Sequence, residues 1–191
     1  MMFNAATEWV RPETFPDLKE HKYIAIDLET RDPNLKSKGS GALVNEGEII
    51  GVAVAVDGWS GYFPIAHREG NLPKQKVLDW LQEICNLPST KLFHNAMYDM
   101  CWLKAYNINV NGHIIDTMVM AALVNENRFS YSLNSLCYDL LGEVKDESVL
   151  LQAAKGIDPK AEMYKLPAMF VGSYAEKDAE LTLKLFKHLS L

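Results

Sequence analysis

Ile24-Ala25-Ile26-Asp27-Leu28-Glu29-Thr30 is the stretch that decides the reading of this chain. From Tyr23 to Glu29 the residues alternate. Ile24, Ile26 and Leu28 fall on one side, and Tyr23, Ala25, Asp27 and Glu29 on the other. A period of two predicts a β-strand. Side chains two apart on a strand share a face, roughly 6.5 Å apart along the chain. Asp27 and Glu29 therefore aim their oxygens at one point, and hard cations such as Mg²⁺ and Mn²⁺ prefer such ligands. Two acids at a solvated strand end would look the same. What sets this pair apart is that it closes a strongly apolar strand. Thr30 and a polar loop then follow, and such a loop can approach a ligand.

Outward from that strand, Met1–Lys22 reads as an irregular arm, with Pro12 and Pro16 blocking helix. Residues 31–48 read as a loop. Ile49–Val56 is β-branched and continuous, like a strand buried on both faces. Asp57-Gly58 is a hairpin turn signal, and Trp59–Ile65 returns as a third strand. Pro73 starts an amphipathic helix over KQKVLDWLQEI. Lys91–Phe93 and His113–Asp116 read as further strands. Tyr98–Tyr106, Thr117–Asn125, Ser132–Leu141 and Phe170–Leu189 read as helices. The expected fold is α/β, a mixed five-stranded sheet flanked by helices. The arm (1–22) precedes one compact domain (23–191).

Two more acids join the first pair. Asp99 follows a strand and a turn in LFHNAMYD. His94 and Asn95 stand at that strand's end, where crevices of such sheets open. Asn95 suits a hydrogen bond to a sugar or phosphate, or a turn closed through its own backbone. Tyr174 and Asp178, in SYAEKDAELT, share one helical face near Val171, Leu181 and Leu185. A carboxylate on an inward stripe is costly unless it is paired or holds a metal. Glu176 and Glu180 fall at other angles and are expected in solvent. Four converging acids raise one another's pKa unless a cation is present. Such a cluster is expensive as structure and sensible as a two-metal site for phosphodiester hydrolysis. Asp116-Thr117 reads as a helix cap.

Composition bounds the alternatives. The formal charge is −6, from 19 basic and 25 acidic residues. That argues against a protein that coats duplex nucleic acid, but not against a nuclease that holds a short strand end. Cys85, Cys101 and Cys137 are widely spaced and odd in number, as expected of reduced thiols in the cytoplasm. No HxxxH, GxxxxGK[ST] or GxSxG pattern occurs, which argues against a zinc site, an NTPase and an acyl-transfer serine.

IAIDLET, HNAMYD and YAEKD together resemble the three motifs of the 3′–5′ proofreading exonuclease domain of family A DNA polymerases. That domain is the DEDDy subtype of the DEDD exonuclease superfamily, which RNase D shares. GYFPIAH and IIDTMVMAALVN are similar too, and the likeness runs from about Tyr23 to the end of the chain. The EWVRPETFPDL arm and the Lys36–Gly41 loop are similar to phage-type versions. The resemblance implies an RNase H-like fold and two divalent ions about 3.5–4 Å apart. By motif, Asp27, Glu29 and Asp178 hold the first ion, and Asp27 and Asp99 engage the second. Tyr174 orients the attacking water. Thr30, Asn95 and Arg128 touch the terminal nucleotides of a single-stranded DNA 3′ end. Lys36, Lys38, Lys155, Lys160 and Lys165 are candidates for a strand-binding rim. The resemblance admits a free-standing exonuclease and a piece of a longer polymerase. It also leaves open an RNase D-like exoribonuclease and a silent nucleic-acid-binding module.

Overall fold

A computed structural model describes residues 6–191. Residues 1–5 of the expected arm lie outside it. The strands are β1 (Tyr23–Arg31), β2 (Glu48–Val56), β3 (Trp59–Pro64), β4 (Thr90–Phe93) and β5 (Ile114–Asp116). The helices are α1 (Leu35–Lys38), α2 (Lys74–Asn86), α3 (Ala96–Ala105), α4 (Thr117–Val124), α5 (Leu133–Leu141), α6 (Ser148–Ala153) and α7 (Gly172–Leu189).

The five strands form one sheet in the order β3-β2-β1-β4-β5. β2 runs antiparallel to β1 and β3, and Val56 pairs with Trp59 across the Asp57-Gly58 turn. Gly58 takes φ 81, the left-handed backbone that such tight turns need. β4 is parallel to β1, and β5 to β4. This is the mixed sheet expected from the sequence.

The alternation of β1 divides two cores. Ile24, Ile26 and Leu28 pack with Val77, Leu81, Trp102 and Leu103 from α2 and α3. Ala25 lies in the opposite core with Ala53 and Ala55 of β2, against Ala175, Ala179 and Phe186 of α7. Alanines on both sides let α7 lie close to the sheet, which brings its polar turn over Asp27 and Glu29. β2 is buried on both faces, and this explains its unbroken apolar run.

The arm is bound to the domain. Phe15 stacks on Phe63, with centroids 5.4 Å apart. Trp9 lies against Gly172, where a Cβ would come 2.0 Å from the indole ring. Trp9 Nε1 also donates to Glu176 Oε1 at 2.8 Å. The same oxygen accepts from Tyr62 N at 3.0 Å, which corrects the expectation of a solvated Glu176. Residues on one helix cannot reveal a partner 167 positions away.

Asp116 caps α4 as expected, accepting from Met118 N at 2.9 Å. It also accepts from Asn95 N (3.0 Å) and Ala96 N (2.8 Å), so one carboxylate closes the starts of two helices. Asp116→Ala is expected to cost about 2–3 kcal/mol in urea denaturation, more than an ordinary cap. A loss below about 0.5 kcal/mol would show that solvent replaces these bonds.

Candidate active site

β1 carries Asp27 and Glu29 onto the face that α7 covers, and α7 brings Asp178 to meet them. Asp27, Glu29 and Asp178 each offer a carboxylate oxygen within 4.8 Å of the other two. An all-oxygen set of this spread suits Mg²⁺ or Mn²⁺. Asp99, in the first turn of α3, is buried at 4% exposure. Its Oδ1 accepts from Leu28 N at 3.0 Å, which fixes it against the strand between Asp27 and Glu29.

Local backbone features aim the surrounding groups. The β1–β2 register shifts between Glu29 and Thr30, a bulge that redirects the strand as it leaves the sheet. Thr30 Oγ1 donates to Tyr98 Oη (2.6 Å), and Tyr98 donates to Asp32 Oδ2 (3.1 Å). Gly51 pairs with Glu29, and a Cβ at Gly51 would come 2.0 Å from Tyr62 Oη. Glycine here lets Tyr62 lie across β2. Tyr62 Oη donates to His67 Nε2 at 2.6 Å, and His67 Nδ1 donates to Met163 O at 3.2 Å. This buried chain ties β3 to the 163–166 segment. Burial holds the His67 pKa down to about 4, so the ring stays neutral.

The electrostatics are strained. Burial pushes Asp27 up to about 7, the charge of Asp178 adds to this, and Lys145 opposes it. Glu29 stands well above the usual carboxylate range, first through burial and then through Asp27 and Asp178. Asp99 is raised by burial and by Asp27, against the Leu28 hydrogen bond. Asp178 is raised by burial, against Lys145. Burial and the nearby acids also raise Tyr174, which keeps its phenolic proton.

Lys145 is the residue that the motifs did not reveal. Its Nζ pairs with Asp178 Oδ2 and lies 3.1 Å from the centroid of the Tyr174 ring. It sits in GEVKDES, outside any periodic element, and was not among the candidate rim lysines. Three converging acids call for a compensating cation, but nothing in the spacing says which one.

Asp27, His94, Asn134, Lys145, Tyr174 and Asp178 border a groove of about 260 Å³. A second groove of about 380 Å³ is lined by Thr30, Asp32, Lys36 and Tyr98, and Lys160 borders both. Thr30 and two of the rim lysines therefore face open clefts. Lys38 and Lys165 pair instead with Glu46 and Glu162, and Lys155 is exposed. Asn95 is exposed and takes φ 67 at the start of α3. Arg128 pairs with Asp139 and does not border either groove. His94 Nε2 donates to Tyr131 O at 3.0 Å and holds the rim segment before α5. Cys85, Cys101 and Cys137 are free thiols. Among the described residues no helix is long and apolar enough to cross a membrane.

Residues 11–191 match the sequence profile of a family described as 3′–5′ exonuclease. The chain belongs to this family. This exonuclease domain is 37% identical over 192 residues to a DNA-directed DNA polymerase of Pseudomonas phage M6, covering 95% of the chain and 29% of the phage protein. It is 29% identical to a DNA polymerase DpoZ of Salmonella phage PMBT28, over 91% of the chain and 27% of that protein. The chain thus spans less than a third of these relatives. Among solved structures, NrnC of Brucella melitensis superposes with a TM-score of 0.63 at 19% identity, over 92% of this chain and 76% of that one. The likeness shows a shared fold. Exonucleases of this fold depend on divalent metal, and the carboxylate cluster matches that need.

Proposed function

We propose that this domain removes nucleotides one at a time from single-stranded or frayed DNA 3′ ends, as the proofreading part of a polymerase, using two divalent ions. The observation that carries this reading is the meeting of Asp27, Glu29 and Asp178 beside Tyr174 in an open groove. The DNA polymerases among its relatives support DNA as substrate and a polymerase domain as partner. The presence of every motif acid speaks against a silent binding module.

Asp27, Glu29 and Asp178 would hold one ion, and Asp27 with Asp99 would engage the other. Bound divalent ions supply Lewis acidity at the phosphate and make a water acidic enough to act as nucleophile. Attack of a water on phosphorus would break its bond to the 3′ oxygen, which would leave carrying a proton from that water. The shortened strand keeps a 3′-hydroxyl, and a nucleoside 5′-monophosphate leaves. Tyr174, neutral through its raised pKa, orients the water by a hydrogen bond rather than removing its proton. Thr30 and Asn95 are proposed contacts for the terminal nucleotides, whereas Arg128 would have to leave its pair with Asp139 to reach them. Lys36 and Lys160 border the grooves, where they can meet backbone phosphates.

Tyr174→Phe is expected to slow hydrolysis by about 10–100-fold, the loss of one positioning bond. A loss as deep as that from removing Asp27 would instead assign Tyr174 the proton transfer. The substrate is tested with DNA and RNA oligonucleotides of matched sequence. Faster trimming of DNA is expected. Faster trimming of RNA would favour the exoribonuclease reading, because the two strands differ at the 2′-hydroxyl.

A further inference from the structure

Lys145 lies inside the carboxylate cluster, in a position that makes it more than a surface partner. Its side chain is 3% exposed and that of Asp178 is 13% exposed. Asp178 contributes one of the three converging oxygens. The field of Lys145 also reaches Asp27 and Glu29. Its Nζ covers the face of the Tyr174 ring. A single ammonium sets one positive charge against three carboxylates, whereas a divalent ion supplies two. The ammonium and the ion need the same oxygens, and Nζ already borders the groove from which an ion would enter.

We propose that Lys145 is a built-in counter-cation that competes with the divalent ion for Asp178, so that ion binding turns Lys145 out of the cluster and uncovers Tyr174. This rests on the reading that Asp27, Glu29 and Asp178 hold the ion. The pair of Lys145 with Asp178 is one side of this competition. Its consequence is a domain whose apparent ion affinity is set by how often Lys145 leaves. If the lysine-free form is about a tenth of the population, apparent affinity is about tenfold weaker than the carboxylates alone would give.

Mn²⁺ binding to the wild-type domain, Lys145→Met and Lys145→Arg would be measured by electron paramagnetic resonance of free Mn²⁺. Lys145→Met keeps the chain length and removes the charge. It is expected to bind Mn²⁺ on the order of tenfold more tightly, with Lys145→Arg close to wild type. A second measurement needs no variant. Wild-type protein is treated with an amine-reactive reagent in EDTA and in saturating Mn²⁺, and the modification of each lysine is followed by mass spectrometry. Lys145 is expected to be protected in EDTA and to react on the order of tenfold faster with Mn²⁺. Equal Mn²⁺ affinity in wild type and Lys145→Met would overturn the proposal and leave the metal reading standing. Unchanged reactivity of Lys145 would overturn it as well. Absence of Mn²⁺ binding in both proteins would overturn the metal reading and the proposal together.

Discussion

Asp27→Asn is expected to abolish hydrolysis while raising the melting temperature of the domain in EDTA. The two effects have one cause. Asp27 stands at about 7 because burial and the Asp178 charge both penalise its ionised form. An amide of the same shape removes that penalty, so the fold relaxes and gains stability. It also removes a ligand that both proposed ions share. The expected loss in kcat is on the order of 10³-fold or more, the size seen when a single charge-stabilising group is lost from an active site. Asp178→Asn should lose as much activity without the gain in stability, because it leaves Lys145 buried with no ion-pair partner. Rates measured beside melting curves check both statements. Near-normal activity in Asp27→Asn would remove it from the site.

The second large effect is on stability against pH. In EDTA the domain is expected to lose stability as pH rises from about 5 to 7. Asp27, Glu29 and Asp99 all have raised pKa values, so the folded state keeps protons that the unfolded chain releases near pH 4. Stability falls with pH wherever the folded state binds more protons. Each such carboxyl contributes about 1.4 kcal/mol per pH unit until its own folded pKa is passed. Asp27 completes its loss near pH 7, and Glu29 and Asp99, raised in the same sense, add to the fall. His67 acts in the opposite sense. Its folded pKa of about 4 lies below the usual 6.5 of an imidazole, so it adds stability as pH rises between those values. Three raised carboxyls outweigh one imidazole, so the net slope between about pH 5 and 7 is downward. Saturating Mn²⁺ should flatten it, since the ions favour the ionised carboxylates. Melting temperatures that climb from about pH 5 to 7 in EDTA would show that the cluster is not strained.

Much of this fold was legible because its signals are local and periodic. The alternation in β1 and the unbroken run of β2 followed from which faces are buried. Asp27 and Glu29 share a face of β1 as the alternation implied, and α7 brings an oxygen of Asp178 within 4.8 Å of theirs. What was not legible depends on distant partners. α3 begins at Ala96 rather than Tyr98 because the Asp116 carboxylate accepts from Asn95 and Ala96 across 20 or more residues. α6 is six residues long, too short for a helical period to show, and it is held by burial of Leu150 and Ala153. The helix Leu35–Lys38 within the expected loop is shorter still, at 4 residues. Glu176 was expected in solvent because neither Trp9 nor the Tyr62 backbone is near it in sequence. Lys145 was missed for the same reason, since its importance lies entirely in what it faces.

The most direct test is a time course with single-stranded DNA labelled at its 5′ end, in Mn²⁺, with EDTA as control. A ladder of labelled products that shorten step by step, and that EDTA abolishes, is the expected result. A band that stays intact in Mn²⁺, or one that falls at once to labelled mononucleotide, would contradict metal-dependent attack from the 3′ end.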